Sequence, residues 1–442
     1  MNYEEALEFI HNTYKFGEKI GLENITALLK ELGDPQKGLK YVHVAGTNGK
    51  GSTCAMLSNV LVNAGYKTGL YISPYLEEFT ERMQINNTPI DKKLLAELTE
   101  EVKAAIDRML EKGLAHPSEF EVVTAIGFLF FAREKADIVI LEVGMGGRMD
   151  ATNVIETNEA AVIVSLSYDH QQYLGNTLEE IAFEKAGIIK ENDDVMVYAI
   201  NPESTVEVIK KQAEKKNARV HVCNKDYIKK VSADIDSQTV EYLNPDSVLG
   251  VKTLKLALLG EHQLYNALNA LYALEILKKK GWKITPEAIE TGFAGVKFTG
   301  RFEILHKDPV ILIDGGHNID GITAFTNNIK QYFKGEKVVL FYGMLKDKQV
   351  DDSIKLLTSI AKKMYTLTPQ EEGRAIPAKQ MAEIIKRDYP EMEVTSLESF
   401  KEIDDHIDLS QKDEVYAFTG SLYMIGEART EINRFLAEKG QN

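Results

Sequence analysis

Residues His43 to Thr53 read HVAGTNGKGST, a short apolar stretch that breaks into a loop with glycines at 46, 49 and 51 and one lysine before an apolar segment follows. Such a loop, through Gly46, Thr47, Asn48, Gly49, Lys50 and Gly51, can turn backbone N–H groups toward an anion. Lys50 adds a positive charge, Ser52 or Thr53 offers a hydroxyl to a magnesium ion, and the following helix aims the positive end of its dipole at the same point. The spacing departs from G-x-x-x-x-G-K-[ST] because Gly51 stands between Lys50 and Ser52. The bland alternative is a tight strand-to-helix turn with a solvated lysine; three glycines, a lysine and two hydroxyls at one turn favour a phosphate cradle.

In open parallel sheets ligands gather beyond the carboxyl ends of the strands. At those positions the sequence offers Lys50, Ser73, Glu142 and His170. A hydroxyl, a carboxylate and an imidazole form an oxygen and nitrogen set suited to magnesium bridging nucleotide phosphates. Taken singly, each has a plain reading: Ser73 caps a turn before Pro74, Glu142 is a solvated strand end, and His170 is a satisfied loop histidine. Together they favour a site.

Lys185 is less ordinary. Leu178, Ile181 and Ala182 form an apolar stripe at helical spacing, and Lys185 falls on the same face. Burial lowers the pKa of an amine, and a neutral amine can take up carbon dioxide as a carbamate, an additional carboxylate ligand. On the residues alone, an ion pair with Glu184 or another acid, or a snorkelling side chain, is preferred. Further along, the apolar run Val310–Ile313 ends in Asp314-Gly315-Gly316-His317-Asn318. A carboxylate there can take ribose hydroxyls, and Arg301 is a candidate for a phosphate; a plain turn is equally compatible with DGGHN.

The elements that must carry these groups alternate between short apolar runs and helical-period segments, as in doubly wound α/β sheets. Strands are expected at Tyr41–Ala45, Thr68–Ile72, Asp137–Glu142 and Ala160–Leu166, with a helix over Ser118–Arg133 opened by an S-x-x-E capping box. From about Val195 to Leu259 shorter strands, among them Thr239–Leu243 and Thr253–Leu258, suggest a partly antiparallel edge. A helix is expected from His262 to Lys280, closed by Gly281. The strand rhythm restarts after Phe298, at Val310–Ile313, Val338–Tyr342, Met364–Leu367 and Glu414–Phe418. The expected domains are therefore residues 1–297 and 298–442.

The bulk numbers agree with a two-domain enzyme. Of 442 residues, 44% are hydrophobic and 27% charged, and 52 basic against 67 acidic residues give a net charge of −15. That balance argues against nonspecific nucleic-acid binding, so an anionic substrate needs a local basic pocket. No apolar run reaches membrane length, and MNYEEALEFIHNTYKFG is an acidic amphipathic helix and not a cationic leader. A cytoplasmic protein with no membrane or nucleic-acid partner is expected. Cys54 and Cys223 lack metal-ligand spacing and are expected to be buried hydrophobes.

Motifs along nearly the whole chain resemble those of folylpolyglutamate synthase, with its bifunctional dihydrofolate synthase members, within the Mur ligase superfamily. They are GTNGKGS (46–52), SPYL (73–76), TERMQI (80–85), FEVVTA (120–125), LEVGMGGRMDATNV (141–154), DHQQYLGNTLEEIAFEKAGIIK (169–190), EHQLYNALNA (261–270), DGGHN (314–318) and TGSLYMIGEAR (419–429). The resemblance implies a P-loop ATPase domain of the Mur ligase central type, joined to a smaller Rossmann-like α/β domain with ATP at their interface. It implies an enzyme acting on ATP, L-glutamate and a folate or dihydropteroate, and a monomer is expected. ATP phosphorylates the acceptor carboxylate, and the glutamate amine displaces phosphate to form an amide.

By motif, Lys50 and the amides around it hold phosphates, Ser73 and Glu142 one magnesium ion, and His170 a second. Lys185 matches the family's carbamylated lysine, which reverses the preference stated above. Asn266, Arg301 and Asp314 match nucleotide-binding positions, and His317 matches a residue near the phosphates. Arg82, Arg148, Ser421 and Tyr423 are assigned to pterin or glutamate. Three departures stand out: Tyr75 where the family often has histidine, DGGHN for DGAHN, and GGRMD for GGRLD. A Mur-type ligase acting on cell-wall precursors is weighed against by FEVVTA and TERMQI, and a non-ligating nucleotide switch by Glu142, His170 and Lys185.

Overall fold

The computed structural model describes residues 1–16, 21–371 and 373–440. The chain divides into two compact units. One comprises Met1–Val231, Thr239–Leu256 and Leu264–Val296; the other comprises Ser232–Gln238, Ala257–Gln263 and Lys297–Asn442.

The first unit is built on the strands β1 (Tyr41–Ala45), β2 (Thr68–Tyr71), β3 (Met83–Ile85), β4 (Thr88–Pro89), β5 (Ile138–Glu142), β6 (Ala160–Ile163), β7 (Asp194–Val197) and β8 (Arg219–Val222). Among the described residues they form one sheet in the order β4-β3-β2-β5-β1-β6-β7-β8. From β2 to β8 all neighbours are parallel, whereas β3 and β4 are antiparallel. The central strands are buried at every position, which is why they read as unbroken apolar runs and not as alternation. One face of the sheet is covered by a core including Leu28, Phe128, Phe131 and Val139, the other by Ile163, Ala182, Ile188 and Val195.

The helix Glu119–Arg133 starts where its capping box requires. Ser118 accepts from the Glu121 amide, and the Glu121 carboxylate accepts from the Ser118 amide at 2.7 Å. The same carboxylate, though buried, accepts from the Ile25 amide at 3.1 Å, fastening this helix to the helix Glu23–Glu31. The N-terminal helix covers Tyr3–Asn12 behind a capping box at Asn2; Gly17, which ends the expected stretch, lies outside the described residues. A small sheet of β9 (Ile228–Ala233), β10 (Gln238–Tyr242) and β11 (Thr253–Leu256) is ordered β11-β10-β9.

The second unit carries β12 (Glu303–Lys307), β13 (Val310–Asp314), β14 (Val338–Tyr342), β15 (Ala361–Thr366), β16 (Val394–Ser396) and β17 (Val415–Thr419), in the order β12-β13-β17-β14-β15-β16. All neighbours are parallel except β12 with β13. Its core includes Leu312, Phe325, Leu340, Met364 and Ile385.

Two expectations need correction. The stretch after Val195 does not give the large sheet an antiparallel edge: β7 and β8 extend it in parallel, and β9–β11 form their own sheet. The antiparallel edge lies at the opposite side, in β3 and β4, inside and just after TERMQI. Strands of two or three residues are too short to show a period, and only the pairing of Tyr71 with Met83 reveals them. The strand β12 was likewise not expected. Both cysteines are buried and unpaired, as expected of small apolar residues. Among the described residues no helix is long and apolar enough to cross a membrane.

Candidate active site

Because β2, β5, β1 and β6 are adjacent and parallel, the segments that follow them emerge side by side at one edge of the first unit. The glycine-rich loop leaves β1, and the helix Lys50–Asn63 begins at Gly49, whose φ of 88° lies in the left-handed region. A Cβ on Gly49 would stand 2.4 Å from Oδ1 of Asn266, so only glycine lets that side chain lie against the loop. No side chain caps this helix N-terminus, so its first amides and dipole end have the character of an anion site. The loop is braced by the segment that follows β6: the Thr47 amide donates to the Ser165 carbonyl (2.7 Å), Thr47 Oγ1 donates to the Ser167 carbonyl (3.1 Å), and Ser165 Oγ donates to the Asn48 carbonyl (2.9 Å). Lys50 Nζ folds back to the Thr47 carbonyl at 3.3 Å. Gly51 and Ser52 continue into the first helical turn, where Ser52 is buried.

Beside the loop, Ser73 and Glu142 meet. The buried carboxylate of Glu142 accepts from the Ser73 amide at 3.1 Å. His170 follows β6 with a left-handed φ of 49°, and its side chain is 40% exposed with Nε2 3.9 Å from Asp169.

Lys185 proves to be deeply buried and donates from Nζ to the Gly46 carbonyl at 2.8 Å. Burial, reinforced by the nearby charge of Lys50, lowers its pKa to about 7. The expected ion pair with Glu184 is not made. Glu184 instead pairs with Arg148 at 2.9 Å, and the Arg148 amide donates to the Glu184 carbonyl at 2.7 Å. Arg148 therefore fastens its own loop to the helix Leu178–Ala186, which carries Lys185. Arg82 lies on the other flank, its guanidinium over the rings of Tyr75 and Phe79.

A buried chain that the sequence reading missed runs behind the cradle. Asp150 accepts from the Met145 amide, the Thr152 amide and the Thr152 hydroxyl, and His43 Nε2 lies 2.8 Å from that hydroxyl. The single Thr152 hydrogen goes to Asp150, so His43 donates through Nε2. Burial raises the Asp150 pKa, and burial also holds His43 well below its ordinary value and hence neutral. The aspartate in GGRMDATN was the available signal; His43 looked like any strand residue.

In the second unit, β13 and β17 pair with Asp314 opposite Thr419, so DGGHN and the start of TGSLYMIGEAR lie side by side. Asp314 is buried; its two oxygens accept from the Phe302 and Gly316 amides at 2.9 and 2.8 Å. Burial raises its pKa against the pull of Arg301. Arg301 lies over Phe298 at 5.8 Å with Nη1 3.5 Å from the Gly315 carbonyl. His317 Nδ1 is 2.9 Å from that same carbonyl, which can only accept, so Nδ1 carries the hydrogen. Ser421 is buried and Tyr423 39% exposed at the start of the helix Leu422–Glu438. The departure to DGGHN has a local reason: a Cβ on Gly316 would come within 2.9 Å of Asp314 Oδ1 and 3.0 Å of the Gly321 backbone. A cleft of about 480 Å³, lined by residues that include Tyr173, Phe183, Glu179 and Lys211, opens in the first unit and contains none of the cradle residues.

Comparison with known proteins gives a consistent result. Residues 44–274 match the family described as Mur ligase middle domain, and residues 300–422 that described as Mur ligase, glutamate ligase domain. The chain is 34% identical over 443 residues to the dihydrofolate synthase/folylpolyglutamate synthase of Bacillus subtilis, covering 97% of this chain and 99% of that one. It superposes on the crystal structure of folylpolyglutamate synthase from Thermotoga maritima with a TM-score of 0.85 and 33% identity, over 98% and 96% of the two chains. Against E. coli FolC in complex with DHPP and ADP the TM-score is 0.81 at 28% identity, over 97% and 98%.

Proposed function

Because the chain belongs to the folylpolyglutamate synthase/dihydrofolate synthase family of Mur ligases, we propose that it is an ATP-dependent ligase joining the amine of L-glutamate to a carboxylate of a folate acceptor. The acceptor is a tetrahydrofolate carrying one or more glutamyl residues, extended at its γ-carboxylate, and also dihydropteroate. The observation that carries this reading is the convergence of the glycine-rich loop and Glu142 with Ser73 at adjacent strand ends, with buried Lys185 reaching the loop from the helix Leu178–Ala186. A nucleotide switch has no use for the last of these. The ADP and DHPP bound by the E. coli relative support small-molecule substrates of both kinds, and a cytoplasmic monomer is the simplest setting for them.

The chemistry follows from charge. A carboxylate repels nucleophiles, so its oxygen first attacks the γ-phosphorus and ADP departs. The acyl phosphate that results has lost the charge and gained a good leaving group. The neutral glutamate amine then attacks the acyl carbon, phosphate departs, and the nitrogen gives up a proton. In this scheme the loop amides and Lys50 hold the phosphates and offset charge developing on the transferred group. Asn266, packed against Gly49, bears on the nucleotide; within the second unit, Arg301, Asp314 and His317 remain candidates for nucleotide contacts.

The donor set fits magnesium. Among the described residues no cluster of three or more His, Cys, Asp or Glu forms a protein cage, while Glu142 presents one buried carboxylate beside Ser73. Magnesium is commonly held by one or two protein groups plus phosphate oxygens and water. Ser73 and Glu142 would hold one ion and His170 a second, supplying charge neutralisation between ATP and the acid. Lys185, with its pKa near 7, is suited to carbamylation.

The test mixes the protein with ATP, magnesium, L-glutamate and either a reduced folate or dihydropteroate, and follows phosphate release with product mass. Acceptor-dependent phosphate release with a gain of one glutamyl unit is expected. ATP hydrolysis indifferent to any pterin acceptor, without that mass gain, rejects the proposal.

A further inference from the structure

Where β7 ends, the chain turns away toward the helix Glu203–Glu214. A backbone bond still joins the Tyr198 amide to the Ile163 carbonyl at 3.0 Å, and beyond it a side chain takes the place of the strand. The side-chain carbonyl of Asn201 accepts from the Leu166 amide at 2.9 Å, and its NH2 group donates to the Val164 carbonyl at 3.2 Å. A backbone N–H can only donate and a backbone carbonyl only accept, so this pair of contacts requires both halves of the asparagine amide. The segment so gripped carries the phosphate cradle on its other side. The Val164 amide donates to the Ala45 carbonyl at 2.8 Å. Thr47 Oγ1 donates to the Ser167 carbonyl and accepts from the Ser167 amide, both at 3.1 Å, and Ser165 holds Thr47 and Asn48 by the bonds already described. Gly46 lies so close that a Cβ there would stand 2.1 Å from Val164 Cγ2, and its carbonyl is the one that receives Lys185 Nζ. The same segment runs straight on to Asp169 and His170.

Phosphate binding by backbone amides depends on where those amides point, and a misplacement of about 1 Å is costly to a reaction that relies on positioning. Gly46, Thr47 and Asn48 take their places from residues 164–167, and those residues take theirs from Asn201. We infer that Asn201 is a positioning residue for the nucleotide site: by holding Val164 and Leu166 it sets the cradle and fixes the spacing between the cradle and His170. Asn201 lies outside every motif that carries the family resemblance. The inference rests on the proposed roles of the glycine-rich loop and of His170 toward ATP and magnesium, and on no part of the acceptor assignment.

The test measures equilibrium binding of the β,γ-methylene ATP analogue AMPPCP to the intact protein, in excess chelator and again in saturating magnesium, well below the melting temperature of each variant. Affinity in chelator reports the cradle alone, and the gain on adding magnesium reports how well the cradle and the metal-binding groups are matched. Asn201→Leu keeps the bulk of the side chain and neither bond. It is expected to weaken binding in chelator roughly 10-fold and to shrink the gain from magnesium. Asn201→Ser, whose hydroxyl can satisfy one of the two backbone groups, is expected to fall between parent and leucine variant, and it carries the test where the leucine variant does not fold. Ser165→Ala, which removes the bond to the Asn48 carbonyl, is expected to weaken binding by itself. Combined with Asn201→Leu it should cost less than the product of the two separate factors, because both act through one segment. A purely structural asparagine would lower the melting temperature and leave both affinities of the folded protein at parent values; that result, or losses that simply multiply, overturns the inference. A parent protein that binds no AMPPCP under either condition overturns the nucleotide reading and this inference with it.

Discussion

Lys185 is the residue whose environment departs furthest from its ordinary chemistry. Its neutral form is favoured because the side chain is enclosed and Lys50 stands nearby, and its one recorded acceptor is an uncharged carbonyl. Against an unfolded value of about 10.5, a folded value near 7 means that the penalty of burying a cation is felt in full below pH 7. That penalty is relieved as the pH rises from 7 toward 10.5, where the unfolded chain binds the extra proton. Replacing Lys185 by Met should therefore raise the melting temperature at pH 6.5, with the gain shrinking toward pH 10; a pH-independent difference would contradict the burial argument. The same neutral amine is the form that reacts with carbon dioxide. Lys185→Ala should lose activity that short-chain carboxylates partly restore, whereas Lys50→Ala should not be rescued. A fully active Lys185→Ala without additives would remove the carbamate from the reaction. Arg148 shows the opposite outcome: a positive residue near the motif whose geometry ties it to Glu184 and its own backbone.

The helix Glu119–Arg133 illustrates how one side chain can serve two elements. Ser118 supplies an ordinary N-cap, and its replacement by Ala should cost about 1 kcal/mol. Glu121 closes the box and also satisfies the Ile25 amide, so Glu121→Ala strands buried donors on two segments and should cost roughly 2–4 kcal/mol, counted as the lost bonds plus the exposed penalty. Denaturant titration of the two variants compares them directly; equal losses would mean that the contact with Ile25 contributes nothing. The capping box itself was visible as S-x-x-E. Its second duty was not, because residues 25 and 121 are brought together only by packing. The same holds for β3 and β4, whose few residues acquire strand character from alignment beside β2.

For the molecule as a whole, bound nucleotide should act as a stabiliser through linkage: at about 100 times its dissociation constant a ligand of the folded state adds roughly 2.7 kcal/mol. ATP with magnesium should raise the melting temperature. Chelation of divalent ions should abolish both that rise and acceptor-dependent phosphate release, with magnesium restoring them. Unchanged release in excess chelator would contradict the assignment of Ser73, Glu142 and His170. A chain with a net charge of −15 repels tetraionic ATP at long range, so the affinity must arise from local donors and cations.

Much of this was readable in the residues themselves. The cradle, the buried strands and the capping boxes depend on neighbours within a few positions, where steric preference and periodicity act directly, and the family motifs are contiguous strings. What the linear order withheld are relations between distant segments: the pairing of Glu184 with Arg148 that leaves Lys185 to Gly46, the chain from His43 through Thr152 to Asp150, and the Arg82 guanidinium laid on two rings. Burial and charge partnership are properties of the assembled interior, since desolvation is set by what surrounds a group in space, and no local pattern along the chain encodes it.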